Sequence, residues 1–154
     1  MDPRSRGRRL DEVLSVCKRL WSEDTIEHDG EFYQFESVKF EPKPVQRPHP
    51  PIHIGGESTA ALRRVVQSGD GWYGIGHTLD TVVPVLKKLR EIAAAEGRDL
   101  NRLEIITATE ISSPDELRRW EELGVTRLVV CPWRCSVDAV AGLQRFADEV
   151  LHRV

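Results

Sequence analysis

Apolar residues recur at two different spacings along this chain. From Leu10 to Trp21 they follow the three-to-four-residue spacing of a helix with one apolar face. From Ile52 onward, short apolar runs alternate four times with segments of helical spacing. Between these regions, the five prolines of residues 38–51 exclude a helix and indicate an extended connector. The pattern therefore predicts a first helix, an irregular middle and a rhythmic remainder.

A β-hairpin is predicted between the first helix and the connector. Aromatic and branched residues from Thr25 to Phe35 flank the dipeptide Asp29-Gly30. This dipeptide is typical of a two-residue type I′ turn, in which both central residues need a positive φ. We therefore expect the two strands to meet directly at Asp29 and Gly30.

The rhythmic part predicts strands at 52–56, 71–75, 103–109 and 126–131, and each strand precedes a helix. The second of these helices contains Pro84, which is compatible with the helix only in its first turn. Ser136 is the expected cap of the last helix. The residues expected to face inward from the last helix are Val140, Leu143, Ala147, Val150 and Leu151.

Strands that alternate with helices through short turns predict a parallel sheet with right-handed crossovers. Each unit takes roughly one-eighth of a (β/α)8 barrel. The predicted fold class is thus α/β, of the TIM-barrel type, with only the C-terminal four βα units present. Residues 1–154 form one predicted domain: a helix at 1–22, a hairpin and Pro-rich connector at 25–51, and the four βα units of this half-barrel at 52–154. A small doubly wound open sheet is the competing architecture.

Composition narrows the class of protein. The net charge of −3 argues against nucleic acid as a main partner. No apolar run approaches the length of a membrane span, and no signal sequence follows Met1, so we expect a cytoplasmic protein without a membrane contact. Of the three cysteines, Cys131 and Cys135 lack the second pair that a zinc site needs, and we interpret them as reduced thiols.

The most informative segment joins the first predicted strand to its helix. It reads Ile54-Gly55-Gly56-Glu57-Ser58, in which two glycines end the strand and a serine can cap the helix. Free amides and the positive end of the helix dipole then point to one place, where no Cβ obstructs a phosphate. A tight βα turn that binds nothing is the alternative interpretation of the same residues.

Several separate segments resemble the luciferase-like monooxygenase family, whose members are flavin- or deazaflavin-dependent (β/α)8 enzymes. They follow the family's order and spacing across nearly the whole chain. The segments are Arg8-Arg9-Leu10-Asp11-Glu12, Asp29-Gly30-Glu31-Phe32-Tyr33, Lys43-Pro44-Val45-Gln46-Arg47-Pro48-His49-Pro50-Pro51-Ile52, Ile54-Gly55-Gly56, Ala60-Ala61-Leu62-Arg63-Arg64, Asp70-Gly71-Trp72 and Gly97-Arg98-Asp99.

The resemblance implies a cofactor, either coenzyme F-420 (the deazaflavin) or FMN. It further implies that the first half of the barrel, with the His and Glu usually assigned to proton transfer, is absent here. Catalytic residues are therefore unknown. The residues implied to bind the cofactor are Ile54, Gly55, Gly56, Glu57 and Ser58 at its phosphate, and Trp72 at the mouth of the next strand.

Other residues with suitable chemistry are dispersed. His53 lies within a strand, where a histidine with a satisfied partner is more common than a catalytic base. His77 and Glu110 follow strand ends, at the edge where barrels place catalysis, although a solvated loop is their ordinary setting. No set of His, Cys or carboxylate residues has the spacing of a metal site.

The predicted function is that of an oxidoreductase or monooxygenase that binds a flavin-type cofactor and a small molecule. Because a half-barrel leaves strand edges and an apolar inner face exposed, we expect a homodimer or a separately encoded N-terminal half as partner. The alternatives are a non-catalytic phosphate- or flavin-binding module and an inactive remnant. The sequence leaves the substrate, and activity of this chain alone, undecided.

Overall fold

The computed structural model describes residues 2–153 and divides the chain into two compact units. The first unit ends at Ile52 and the second begins at His53. This boundary lies where the Pro-rich connector was expected to give way to the βα units. The assignment of the whole chain to one domain stays a prediction.

The first unit contains one long helix and a two-stranded sheet. After a short 3-10 turn, α1 spans Arg6–Ser22, and the antiparallel strands are β1 (Ile26–Asp29) and β2 (Gln34–Val38). The proline-containing residues 39–52 form no helix or strand. This outcome agrees with the loss of backbone donors and the fixed φ that proline imposes.

The hairpin exists, but the predicted two-residue type I′ turn is wrong. Asp29 pairs with Gln34 inside the ladder, so residues 30–33 form the loop. Gly30 does not have the positive φ that a type I′ turn requires. A carboxylate shapes the loop instead, since Glu12 on α1 accepts hydrogen bonds from the amides of Phe32 at 3.0 Å and Tyr33 at 2.9 Å.

Glu12 is held in its ionised form by these contacts. Burial opposes ionisation, but the hydrogen bond to His28 and those from the amides of Tyr33 and Phe32 outweigh it, so the pKa of Glu12 is lowered. The Nε2 atom of His28 lies 3.0 Å from Oε1 of Glu12. The amides of the hairpin loop are thus bound by a carboxylate of helix α1.

The second unit is a four-stranded parallel sheet whose strands are connected by helices. Its strands are β3 (His53–Gly55), β4 (Gly71–Ile75), β5 (Glu104–Ala108) and β6 (Arg127–Val129), and its helices are α2 (Thr59–Ser68), α3 (Leu79–Ala95), α4 (Pro114–Glu122) and α5 (Ala139–Glu149).

The order of the strands distinguishes the two predicted architectures. Neighbours in the sheet follow chain order, β3-β4-β5-β6, without the reversal that creates the switch point of a doubly wound sheet. This is the strand order of a barrel, and it confirms the predicted fold class of four consecutive βα units of the TIM-barrel type. The doubly wound alternative is wrong.

The core of this unit lies between one face of the sheet and its helices. Ile54, Trp72 and Ile105 lie side by side in the register of β3, β4 and β5, and all three are buried. Alternate residues of each strand face this core. Helices α2 and α3 cover it with their apolar stripes. The buried residues of these stripes are Leu62, Val65, Val66, Val82, Val85, Leu86, Leu89 and Ala93.

Two details of the helices correct the sequence analysis. Pro84 is the sixth residue of α3 rather than part of its first turn, so the carbonyl of Asp80 loses the helical donor that another residue would supply. Ser136 does not cap the last helix, because it lies in a 3-10 turn at Ser136–Asp138 and α5 begins at Ala139.

The inward face predicted for α5 is also mostly wrong. Val140 and Leu143 are 82% and 51% exposed, and Leu151 beyond the helix is 55% exposed. The buried face consists of Gly142, Phe146 and Val150. Close backbone approach decides this orientation, because a Cβ at Gly142 would lie 2.5 Å from the carbonyl oxygen of Pro132. The apolar stripe of α5 consequently faces outward.

Candidate functional site

The glycine doublet lies where β3 delivers the chain to α2, at the carboxyl edge of the sheet. Gly55 is the last residue of β3, and Gly56 adopts a left-handed φ of 98° that residues with a Cβ rarely adopt. Ser58 then caps α2, its Oγ accepting a hydrogen bond from the amide of Ala61 at 3.2 Å. Local sequence therefore produces the strand, the turn and the helix start as predicted from the motif.

The amides around this turn have no acceptor. Within residues 2–153, no hydrogen bond uses the amides of Glu57, Ser58, Thr59 or Ala60. Residues 55–60 are all exposed, so these donors are open to solvent. Consecutive free amides at a helix N-terminus are the arrangement that binds anions. We call the four amides of residues 57–60, with the Gly55-Gly56 turn before them, the anion seat.

The first turn of helix α2 contains no acid, and the acid nearest to these amides is Glu57, which precedes the cap residue Ser58. By contrast, the first turn of α3 contains Asp80 and that of α4 contains Asp115 and Glu116. Acidic residues in a first turn offset the positive end of a helix dipole. No residue of the first turn of α2 therefore offsets its dipole.

Trp72 supports the anion seat from beneath. Its side chain is fully buried, and its Nε1 donates a hydrogen bond to the carbonyl oxygen of Gly56 at 3.0 Å. The indole lies on the same face of the sheet as the side chain of Ile54, which is also buried. The side chain of Trp72 thus contacts the backbone of the turn. The predicted contact of Trp72 with a cofactor stays a prediction.

His77 is buried, although a solvated loop was the ordinary setting expected from the sequence. Its side chain is only 6% exposed, and its ring centroid lies 5.4 Å from that of Trp72. Gly74 makes room for both rings, since a Cβ there would overlap the indole of Trp72 and would lie 2.9 Å from the imidazole. A backbone bond also fixes the residue, because the hydroxyl of Thr109 donates to the carbonyl oxygen of His77 at 2.7 Å.

The Nε2 atom of His77 lies next to the side chain of Glu57. It lies 3.3 Å from Oε1 of Glu57, which is 56% exposed. The two atoms are at ion-pair distance but without hydrogen-bond geometry, and Nε2 is buried with no hydrogen bond to any described residue. No pattern in the sequence placed residues 57 and 77 together; only the strand order β3-β4 does so.

The remaining candidates lie elsewhere. The Nε2 atom of His53 is 2.8 Å from Oε2 of Glu104, which Arg127 also approaches at 3.5 Å. These three residues begin their strands, at the edge opposite the anion seat. Glu110 lines a cavity of about 570 Å³ at the carboxyl ends of β5 and β6. In the part of the chain described, no three His, Cys, Asp or Glu residues are grouped to hold a metal ion.

Neither the cysteines nor a membrane-spanning helix contributes to the site among the described residues. Cys131 and Cys135 are exposed free thiols. Over residues 2–153, every helix is too short or too polar to cross a bilayer. The anion seat and its two buried aromatic supports are therefore the candidate functional site.

Comparison with known proteins identifies relatives of this sequence. An uncharacterized protein of Mycobacterium tuberculosis is 38% identical over 151 residues, which are 96% of this chain and 52% of that protein. An FMNH2-dependent dimethylsulfone monooxygenase of Pseudomonas putida is 35% identical over 92 residues, or 60% of this chain and 25% of that enzyme. The chain thus spans about half the length of the mycobacterial relative.

A solved structure confirms the fold. The coenzyme F-420 dependent tetrahydromethanopterin reductase of Methanopyrus kandleri has a TM-score of 0.78 at 11% identity, over 96% of this chain and 63% of that one. The family model described as luciferase-like monooxygenase matches residues 1–130. Since this match covers most of the sequence, the chain belongs to the luciferase-like monooxygenase family.

Proposed function

We propose that the chain binds the phosphate of coenzyme F-420 or FMN and forms the cofactor-binding half of a cytoplasmic oxidoreductase or monooxygenase. The single observation that carries this proposal is the set of free, exposed amides at residues 57–60, on a helix without an acid in its first turn. The alternative, a tight turn that binds nothing, would leave the same donors to water.

The described residues fit the anionic part of such a cofactor. Gly55 and Gly56 allow close approach, and the amides from Glu57 to Ala60 donate to phosphate oxygens. Trp72 holds the carbonyl of Gly56 and so keeps the turn in its left-handed conformation. When bound, the isoalloxazine or deazaflavin ring supplies hydride-transfer chemistry. The residues of this chain bind and orient; no general base is assigned to them.

Relatives support the choice of cofactor. The Pseudomonas putida relative is described as FMNH2-dependent, and the structural neighbour from Methanopyrus kandleri as coenzyme F-420 dependent. Free thiols at Cys17, Cys131 and Cys135 are consistent with the reducing interior of a cell. These observations favour a redox cofactor with a phosphate tail.

Titration tests the proposal. Purified protein is titrated with FMN and with coenzyme F-420, and binding is followed by quenching of cofactor fluorescence, with inorganic phosphate as competitor. We expect saturable binding that phosphate weakens. Absence of binding for both cofactors contradicts the proposal. A second assay follows reoxidation of the reduced cofactors, and binding without turnover identifies the non-catalytic module that the sequence analysis left open.

We also propose a partner that completes the barrel, either a second copy of this chain or a separately encoded first half. Strands β3 and β6 are the edges of the four-stranded sheet, and unpaired edges favour further pairing. Apolar side chains also remain exposed in this unit: Ile75 at the end of β4 is 72% exposed, Val129 of the edge strand β6 43% and Val140 of α5 82%. A partner that covers them would remove this apolar surface from water.

Sedimentation velocity at several protein concentrations tests the partner. A homodimer that closes the barrel predicts a mass near twice that of the chain, and the mutation Val140→Asp should shift the equilibrium toward monomer. The mutation Val45→Asp is a matched control, because Val45 is 93% exposed in the other unit. A folded monomer that shows no association at any concentration contradicts the homodimer and leaves only the separately encoded half.

A further inference from the structure

The anion seat contains a negative charge of its own. Glu57 donates its amide to the seat, and its carboxylate is separated from that amide by only a few covalent bonds. A carboxylate beside an anion-binding site repels every anion that enters, and it repels a doubly charged one more strongly than a singly charged one. The position of this carboxylate therefore matters for the kind of phosphate that binds.

His77 lies beside this carboxylate. The Nε2 atom of His77 is buried, is not hydrogen-bonded, and lies 3.3 Å from Oε1 of Glu57. The imidazole packs against the ring of Trp72, its Nδ1 lies 3.5 Å from the hydroxyl oxygen of Thr81, and the backbone of His77 accepts a hydrogen bond from Thr109. A buried nitrogen without a hydrogen bond is rare, and each such group needs a reason. Its neighbour here is the carboxylate of Glu57, which stays half exposed at the edge of the seat.

Phosphate esters differ in charge in a way that this arrangement can distinguish. A phosphate monoester carries close to two negative charges above pH 7, because its second pKa is about 6. A phosphate diester carries one negative charge at any ordinary pH. FMN ends in a monoester, and coenzyme F-420 carries its phosphate as a diester. The two candidate cofactors are thus separated by one charge at this position.

We propose that Glu57, positioned by His77, makes the anion seat select a singly charged phosphate diester over a doubly charged monoester. This inference rests on the proposed function and specifies its ligand as the diester of the F-420 type. One extra unit of charge several ångströms from a carboxylate at the protein surface corresponds to roughly a tenfold change in affinity. Glu57 is the specificity-determining residue, and His77 is a positioning residue.

Two ligands with the same ring system test the proposal. FMN and its phosphate methyl ester differ by one charge and one methyl group, so their affinity ratio isolates the charge of the phosphate. At pH 8 we expect the wild-type protein to bind the methyl ester about tenfold more tightly than FMN. Binding of coenzyme F-420 is measured in parallel. All three titrations are followed by fluorescence.

Variants test whether Glu57 and His77 cause the ratio of the two affinities. The mutation Glu57→Gln removes the repelling charge and should shift the ratio to one or in favour of FMN, because the amides and the helix dipole attract the doubly charged ester more strongly. The mutation Glu91→Gln is the control, because it removes an equal charge from an exposed position late in α3. The mutation His77→Gln should lower the ratio partly, and it should have no further effect in the Glu57→Gln background. Circular dichroism establishes that the His77 variant is folded.

The outcomes separate this inference from the proposed function. A wild-type protein that binds FMN as tightly as the methyl ester contradicts the inference, and so does an unchanged ratio in the Glu57→Gln variant. In both of these cases the proposed function survives, because the ligands bind. Absence of binding for all three ligands overturns the proposed function and the inference together.

Discussion

Two helix starts at the same edge of the sheet differ in how their amides are used. At the start of α3, the hydroxyl of Thr78 accepts from the amide of Thr81, and the hydroxyl of Thr81 accepts from the amide of Thr78. Asp80 adds a negative charge to that first turn. At the start of α2, only Ser58 acts as a cap, no acid follows, and the amides of residues 57–60 stay open.

The comparison shows that a shared βα topology does not by itself create an anion site. The α3 start completes a capping box within the chain, which satisfies the amide of the cap residue Thr78 as well as that of Thr81. The hairpin loop of the first unit does the same with a carboxylate, since Glu12 accepts from the amides of Phe32 and Tyr33. We expect an anion to bind where the backbone amides of a helix start have no acceptor from the chain itself.

The largest expected effect comes from the mutation Gly56→Ala. The left-handed conformation costs a residue with a Cβ about 1–2 kcal/mol, so relaxation of the turn should weaken binding of FMN or coenzyme F-420 by roughly tenfold or more. The matched control is Gly76→Ala, because Gly76 also has a positive φ, 72°, and a Cβ there would meet nothing within 4 Å beyond its own chain neighbours. Isothermal titration of both variants makes the comparison.

For the control we expect a similar loss of thermal stability with unchanged cofactor affinity. Equal losses of affinity in the Gly56→Ala and Gly76→Ala variants would contradict the assignment of the seat to the β3–α2 turn.

A smaller effect is expected from Trp72→Phe. This mutation removes the hydrogen bond to the carbonyl of Gly56, and a net contribution of about 1 kcal/mol corresponds to roughly fivefold weaker cofactor binding. Trp120→Phe is the matched control, because Trp120 is equally buried but its Nε1 has no partner among the described residues. If both variants lose affinity equally, the indole acts through core packing and not through Gly56.

The mutation Ala60→Asp converts the α2 start into one that resembles the α3 start. A carboxylate in the first turn offsets the helix dipole and should stabilise the protein by about 0.3–1 kcal/mol in thermal unfolding. The same carboxylate should weaken phosphate binding by roughly threefold through competition for the amides. Ala60→Asn is the neutral control. A variant that gains stability without loss of phosphate affinity would show that the anion does not bind at this helix start.

The smallest effect concerns the hairpin loop, whose amides donate to the carboxylate of Glu12. Because the pKa of Glu12 is lowered in the folded state, its ionised form stabilises the fold above the pKa of an unfolded glutamate, about 4.3, and that stability is lost as pH falls through the lowered value. The protection of the Phe32 and Tyr33 amides against exchange, taken relative to the intrinsic exchange rate at each pH, should therefore fall under acid. In Glu12→Gln this acid dependence should disappear; its persistence would assign it to another group.

The sequence predicted the fold well where local signals agree. The cap at Ser58, the apolar stripe of α2 and the glycine after it define the same helix that the structure contains. The sequence failed where long-range contacts decide. The loop after Asp29 depends on Glu12, a residue of another element, and the orientation of α5 depends on the contact between Gly142 and Pro132. Neither contact leaves a periodic signal.

The candidate site was predictable only in part. The glycine doublet and Ser58 mark the turn, because their backbone and capping preferences are local. The role of His77 is not visible in the sequence, since about twenty residues separate it from Glu57 and only parallel pairing of β3 with β4 joins them. The absence of an acid in the first turn of α2 was a readable signal, and it would have strengthened the interpretation of the doublet.

The most direct test of the account follows the backbone amides themselves. In two-dimensional NMR spectra of the ¹⁵N-labelled protein, titration with FMN or coenzyme F-420 should shift the amide signals of Glu57, Ser58, Thr59 and Ala60 toward those of hydrogen-bonded donors. The amides of Thr78 and Thr81, which already have acceptors, should stay in place. Equal shifts at both helix starts, or none at residues 57–60 despite binding, would contradict the claim that open amides form the cofactor site.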